Sequence, residues 1–437
     1  MAISSLNFGT GQTTKELSND KRREKMKKAL LVILVAVISW IFIMSSQAGA
    51  LTKYKVPVIS DFTGAYAELF KAWIPMQKAV FSWWNETTGK ELGVKLELKH
   101  YDSRYDATVV ASMWPGILAE CKPIIALGAG GPDVAALQQR LPKDKVPILY
   151  GTAAYGYAWL ANQWIFHVRP TYLHEMAAAL NWYIKKNPEK RPVRFGEMVA
   201  NITAAINLFD GLDKYVKNNL EPKGLCIVAA KEFMDINPVD VSNQVRKMIE
   251  AKVDILVGPI TTGLSTAYIR ACQLHGVNIP TIASPHHTIW PFSRAMKTYK
   301  PFEGHLVVAG HASITNKETQ AYDFFGILKK KYGLPEKLWN VMTMMALNQS
   351  ILAVRAVEHA AKKVGADNLS GQAVYDAMFA GPFTKEELMG SLPTLNFTKE
   401  APFPLGDLKV IIETVKDGKY VMADPNWVPV PPDVKKW

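Results

Sequence analysis

Cysteine is scarce in this chain of 437 residues: there are three, Cys121, Cys226 and Cys272. Their spacing fits neither a zinc site nor a redox pair, and in an exported protein they allow one disulfide at most. Cys226 lies in a strand-like run, Leu225 to Val228, and Cys272 in a helix-like one, so both read as buried free thiols. Long apolar runs are as rare. Only Ala29 to Met44 approaches the length of a membrane span, which excludes a multi-span membrane protein. There is no tandem repeat, no low-complexity segment and no Gly-x-Ser-x-Gly nucleophile elbow. The glycines Gly128, Gly130 and Gly131 lack the third position of a dinucleotide fingerprint, and their turn is not the first of its series, which argues against a dehydrogenase. Acidic residues are outnumbered by basic ones, 39 to 51, for a formal charge of +12. The basic residues are scattered, with no run interleaved with aromatics, so nucleic acid is not the expected partner.

What is present begins with the N-terminus. Lys27 and Lys28 precede the apolar run, and Ala48-Gly49-Ala50 comes after it. Positive charge, apolar stretch and small-x-small triplet are the order of a secretory signal cleaved after Ala50. An uncleaved anchor is the alternative reading of the same run. Residues 1–25 are polar and fit no fold, and Met26 reads as the more natural start. Without the first fifty residues the charge falls to +8. No cysteine sits at the cleavage site, so no lipid anchor is expected there.

Beyond residue 50, short β-rich runs alternate with amphipathic helical ones. Tyr54 to Ser60 reads as a strand and Ala67 to Trp84 as a helix. Val94, Leu96 and Leu98 alternate with Lys95, Glu97 and Lys99, the period of a half-buried strand. Ala107 to Glu120 is helical in pattern, with a kink or break expected at Pro115-Gly116. Strands at 123–127 and 146–150 enclose a helix from Pro132 to Arg140. After Arg169-Pro170 the alternation restarts: helix from Tyr172, strands at 193–200, 225–229, 253–257 and 279–283, helices between them. Two βαβα series imply two doubly wound parallel sheets, with ligands bound beyond the carboxyl ends of the strands. Leu338 to Val364 reads as one long helix, and Leu408 to Met422 as a hairpin turning at Asp417-Gly418. Trp83-Trp84 and Met342, Met344 and Met345 read as helix packing rather than a cofactor box.

Three segments carry a family likeness. Ser60 to Tyr66 is similar to the first loop of the type I periplasmic binding proteins, the branched-chain amino-acid-binding group of ABC-transporter receptors. Asp240 to Ala283, with Val253 to Gly258 and His275 to Pro280, resembles that family's helix–strand–glycine–helix–strand module. Val415 to Tyr420 resembles its closing hairpin. The resemblance covers residues 51–437. It implies an α/β fold of two doubly wound parallel-sheet lobes joined by a three-strand hinge: lobe 1 at 51–169 and 310–391, lobe 2 at 170–309 and 392–437. Passages between lobes are expected near Arg169-Pro170, Val308 to His311 and Leu392 to Phe397.

The resemblance further implies a small ligand held by loops of both lobes. Lobe 1 would offer Phe62, Thr63, Tyr66, Gly130, Gly131, Thr152, Ala153 and Tyr155; lobe 2 would offer Asn201, Thr203, Thr261, His286 and His287. Glycines before a helix would expose backbone N–H groups to a carboxylate. Amino-acid binders of the family use an acid in the second lobe to pair the ammonium group, and Ser284 to Trp290 holds none. A carboxylic acid is therefore expected to bind more tightly than its α-amino counterpart. His286-His287, with His305 and His311, are not read as metal ligands, since adjacent loop histidines point apart and no acid or cysteine cluster accompanies them. The expected role is a periplasmic, non-enzymatic, monomeric solute-binding protein that hands its ligand to ABC permease subunits and needs no cofactor. A ligand sensor for a membrane receptor, or an exported enzyme on the same scaffold, are the alternatives.

Overall fold

The computed structural model describes residues 51–434 apart from 65, 152–163, 202, 236–237, 259–261, 285–288, 290–292, 294–295, 400 and 406–407, together with Met26. The chain divides into two units, Met1–Leu51 and Thr52–Trp437. Of the first fifty residues, the expected signal included, only Met26 is among those described. Among the described residues no helix is long and apolar enough to cross a membrane. Both sheets belong to the second unit.

The first sheet contains β1 (Thr52–Ser60), β2 (Val94–Asp102), β3 (Ala126–Gly128), β4 (Ile148–Tyr150) and β5 (Ile165–His167). Their order is β2-β1-β3-β4-β5 and every pairing is parallel. Such strands are joined by helices: α1 (Ala67–Glu86), α2 (Ala107–Cys121) and α3 (Gly131–Leu137). The central strands are buried throughout, as a parallel sheet covered on both faces requires. Trp73 and Trp84 of α1 and Trp114 of α2 are fully buried in this core.

Helix α2 runs unbroken through Pro115, where a kink or break was expected. A proline leaves the carbonyl four residues earlier without its helical donor. Here that carbonyl, of Ala111, accepts from Arg140 Nη1 at 3.5 Å.

The second sheet contains β6 (Val193–Ala200), β7 (Cys226–Met234), β8 (Ile255–Val257), β9 (Thr281–Ala283) and β10 (Leu306–Ala309) in the order β7-β6-β8-β9-β10, again parallel. Helices α4 (Tyr172–Lys186), α5 (Thr203–Tyr215), α6 (Ser242–Glu250) and α7 (Thr262–Leu274) connect them. The chain then returns to the first core for α8 (Gln320–Tyr332), α9 (Val341–Val364) and α10 (Gly371–Ala377). Strands β11 (Asn396–Thr398) and β12 (Ala401–Leu405) form a hairpin, with β12 lying beside β5. Leu392, Leu395 and Phe397 pack in the first core, so that core runs on past the boundary expected at 391. Leu408 belongs to the second core, where β13 (Lys409–Lys416) pairs antiparallel with β10 and turns into β14 (Lys419–Met422). Cys121, Cys226 and Cys272 are buried free thiols. Trp83 packs edge-on against Phe324, and Met344 and Met345 are buried.

The passages between the cores meet at one buried cluster. Arg169 comes after β5 and is wholly inaccessible, as is Glu175 in the first turn of α4. Arg169 Nη1 lies 3.3 Å from Glu175 Oε1, which also accepts the Gly310 N–H at 3.1 Å. Arg169 Nη2 donates to Ser284 Oγ, beyond β9, at 3.4 Å. Gly310 lies flat on the first passage: a Cβ there would sit 2.4 Å from Pro170 Cδ and 3.1 Å from Arg169 Cβ. Gly310→Ala should force the two passages apart and lower stability by about 1–3 kcal/mol, the usual range for an overpacked site. Urea unfolding checks this, and an unchanged midpoint and slope would show that the passages have slack.

Candidate functional site

The two sheets share one strand order, and each therefore has one switch point, where neighbouring connections leave in opposite directions. In the first sheet it falls between β1 and β3; in the second, between β6 and β8. Strand β5 leads at its carboxyl end into the Arg169 passage, and β10 into the Gly310 passage. The parallel strands of both sheets thus end toward the same hinge, and both switch points open on that side.

Beyond β1, Asp61 organises the first loop. Its carboxylate is buried and accepts the N–H of Gly64 at 2.5 Å and of Tyr66 at 2.7 Å. Tyr66 thereby starts α1, and its ring lies 4.6 Å from that of Tyr105. Burial, then the charge of Asp61, push the Tyr66 hydroxyl above its ordinary pKa. Phe62 and Thr63 turn toward β2 instead. The Phe62 N–H and Thr63 Oγ1 donate to Asp102 at 2.8 and 2.6 Å, and the Phe62 ring meets His100 edge-on.

Tyr105 sits in the loop after β2, where Arg104 and Tyr105 both have left-handed backbones, φ 51° and 54°. Side chains other than glycine seldom adopt that conformation without tertiary support. Here it sets the Tyr105 ring in the site. Burial raises the Tyr105 pKa, and the charge of Asp133 adds to the rise. Tyr172 opens α4 in the second lobe, with Arg169 lying 5.5 Å over its ring. Tyr66 and Tyr105 therefore form an aromatic pair beyond β1 and β2, and Tyr172 stands with Arg169 at the start of α4.

The glycine turn beyond β3 differs from the expectation. The N–H groups of Ala129 and Gly130 are not open to a carboxylate: both donate to Asp133 Oδ2, at 2.7 and 3.1 Å. Asp133, in the first turn of α3, supplies the chain's own acceptor at this helix start. It is fully buried, and that burial lifts its carboxyl to about 7 despite the two N–H donors, with the Asp61 charge adding to the rise. The turn is fixed from behind by Gln349 of α9, whose Nε2 donates to the Gly128 and Leu149 carbonyls at 2.8 Å each.

In the second lobe, Asn201 comes after β6, is exposed, and donates its N–H to the Met234 carbonyl at 2.9 Å. Thr203 opens α5. Thr152, Ala153, Tyr155, Thr261, His286 and His287 lie outside the described residues, as does most of the loop in which an acid was sought. His305 is buried and meets Thr281 Oγ1 at 2.9 Å, and buried His311 lies 3.0 Å from the Ala312 carbonyl through Nδ1. Of the expected residues, Tyr66 lies against Tyr105 and is held by Asp61, and Gly130 is held by Asp133. Asp61, Tyr105 and Asp133 had not been singled out. Only Asp133 carried a sequence signal, an acid three places after a glycine at a helix start.

Residues 53–400 match the model of a family described as periplasmic binding protein. Solved structures agree with that fold. A branched-chain amino-acid ABC transporter protein from Thermus thermophilus with bound valine is 14% identical, with a TM-score of 0.71 over 87% of this chain and 97% of that one. A fatty acid ABC transporter substrate-binding protein from Thermomonospora curvata is 18% identical, with a TM-score of 0.70 over 88% and 94%. An ABC transporter solute-binding protein from Rhodopseudomonas palustris HaA2, in complex with p-hydroxybenzoic acid, is 16% identical, with a TM-score of 0.68 over 87% and 98%. No curated protein sequence matches the chain significantly.

The buried carboxyl at the glycine turn sets a pH dependence. Held at about 7 in the fold and near 4 when unfolded, Asp133 lowers stability progressively as pH rises between those values, and fully above 7. Asp133→Asn keeps an oxygen for the Ala129 and Gly130 donors and removes the charge. It should raise Tm at pH 8 by at least about 2 °C and leave it unchanged at pH 4. A pH-independent difference in melting scans would refute the assignment.

Proposed function

The chain belongs to the periplasmic binding protein family, and on that premise we propose that it is the extracytoplasmic substrate-binding protein of an ABC importer. It captures a small organic acid or amino-acid-like solute between its lobes and presents the closed form to permease subunits. That family is one of solute-binding proteins, not enzymes. The observation that carries the reading is the pair of matched switch points opening on one hinge, with the Tyr66–Tyr105 pair beside the first. Ligands of open α/β sheets bind at such points, and a ligand touching both lobes favours closure. The similar solved structures hold solutes as different as valine and p-hydroxybenzoic acid. The common scaffold is therefore compatible with either class.

In this reading Tyr66, Gly130, Gly131, Asn201 and Thr203 line the cleft, with Phe62, Thr63, Thr152, Ala153, Tyr155, Thr261, His286 and His287 on the surrounding loops. The ordering of positive charge, apolar run and Ala48-Gly49-Ala50 supports export through a cleaved signal. N-terminal sequencing of protein recovered outside the cytoplasm should begin at or near Leu51; intact residues 29–45 in a membrane fraction would contradict this.

A thermal-shift screen of organic acids, fatty acids and amino acids tests the role itself. A solute present at about a hundred times its Kd should stabilise the protein by about 2.7 kcal/mol. Small-angle scattering with that solute should then show a smaller radius of gyration. A solute that binds without compaction would argue against a two-lobed clamp.

A further inference from the structure

One oxygen of Asp133 is left over. Its Oδ2 holds the Ala129 and Gly130 N–H groups, whereas Oδ1 is buried and has no hydrogen-bond partner among the described residues. Buried carboxylate oxygens are nearly always paired, because leaving one unpaired forfeits its hydration. This oxygen belongs to the turn beyond β3, at the switch point of the first sheet, and the charge of Asp61 acts on the same carboxyl. The turn therefore offers an acceptor and keeps its Ala129 and Gly130 donors for itself.

We propose that Asp133 contacts the solute and determines specificity, with Oδ1 accepting a hydrogen bond from a donor group, a hydroxyl or an ammonium, that the bound solute brings to the first lobe. The proposal rests on the solute-binding reading and deepens it. It turns the first lobe from an anion site into a donor-recognising one. A carboxylate entering the glycine turn would meet two acids instead of free N–H groups. A hydroxyl or ammonium entering it would satisfy an orphaned oxygen.

Matched solutes test this. 4-Hydroxybenzoate against benzoate isolates a hydroxyl, and leucine against 4-methylpentanoate isolates an ammonium; longer hydroxy and unsubstituted acid pairs extend the panel. Titration calorimetry on the wild-type chain at pH 8, where the carboxyl is ionised and Oδ1 is an acceptor, should show the donor-bearing member of at least one pair binding about ten- to a hundredfold more tightly. Which pair responds distinguishes hydroxyl from ammonium. In Asp133→Asn the side-chain oxygen must face the Ala129 and Gly130 donors, so the NH2 group faces the solute. The preference should fall to about one or reverse. Equal binding across every pair on the wild-type chain would overturn the proposal without appeal to the variant. So would a preference that Asp133→Asn leaves unchanged while its far-ultraviolet circular dichroism stays native. If no solute of any pair or of the wider screen binds, the solute-binding reading itself fails, and this one with it.

Discussion

The lobes depend on one ion pair. Arg169 and Glu175 are both fully inaccessible, and neither charge is buried for its own sake. Desolvating two ions costs more than their attraction returns unless further hydrogen bonds complete the geometry. Here they do so in part: Glu175 takes the Gly310 N–H from the second passage and Arg169 reaches Ser284 beyond β9, while Arg169 Nε and Glu175 Oε2 have no hydrogen-bond partner among the described residues. Burial pushes the Glu175 carboxyl up to about 7, and the guanidinium beside it pulls the other way. Removing either partner would strand the other charge in the hinge, at about 3–5 kcal/mol. The same cluster fixes where the β5, β9 and β10 ends lie, and so where the two switch points face. Stability and site geometry are thus set by the same few atoms.

A second carboxylate marks the hinge differently. Glu413 of β13 is buried beside the Gly310 passage and has hydroxyls for partners, Ser313 Oγ and Tyr420 at 2.6 Å. Ser313 also meets Thr315 Oγ1 at 2.7 Å. With hydroxyls alone to offset burial, its carboxyl rises to about 7. The Arg169 pair is a charged clamp, and the Glu413 group a chain of hydroxyls.

The alternation of apolar and polar runs made the doubly wound architecture legible. Val94, Leu96 and Leu98 announce β2 by period alone, and Val193 to Ala200 is read to the residue. The short central strands are less legible at their ends. Ala126–Gly128 and Ile148–Tyr150 are buried on both faces, so nothing alternates to mark where pairing starts. Pro115 does not break α2, and the Ala111 carbonyl it leaves without a helical donor is served by Arg140, distant in sequence. The β11–β12 hairpin beside β5 carries the first core past residue 391, where the family pattern had suggested a passage.

At the site, the loops that matter are easier to read from sequence than the groups that act. Loop position derives from strand order, and strand order from alternation. Group roles depend on which hydrogen bonds are already taken. A glycine turn before a helix reads as free N–H groups, yet the residue that claims them, Asp133, stands three places further on and acts only once α3 forms. Tyr105 reaches the site through two left-handed residues that nothing in their side chains advertises. In both cases a local motif is overruled by a partner that the fold supplies. The physical lesson concerns charge. A helix start draws an acceptor whether a ligand or the chain provides it, and here the chain's own Asp133 takes the N–H groups that the turn offers.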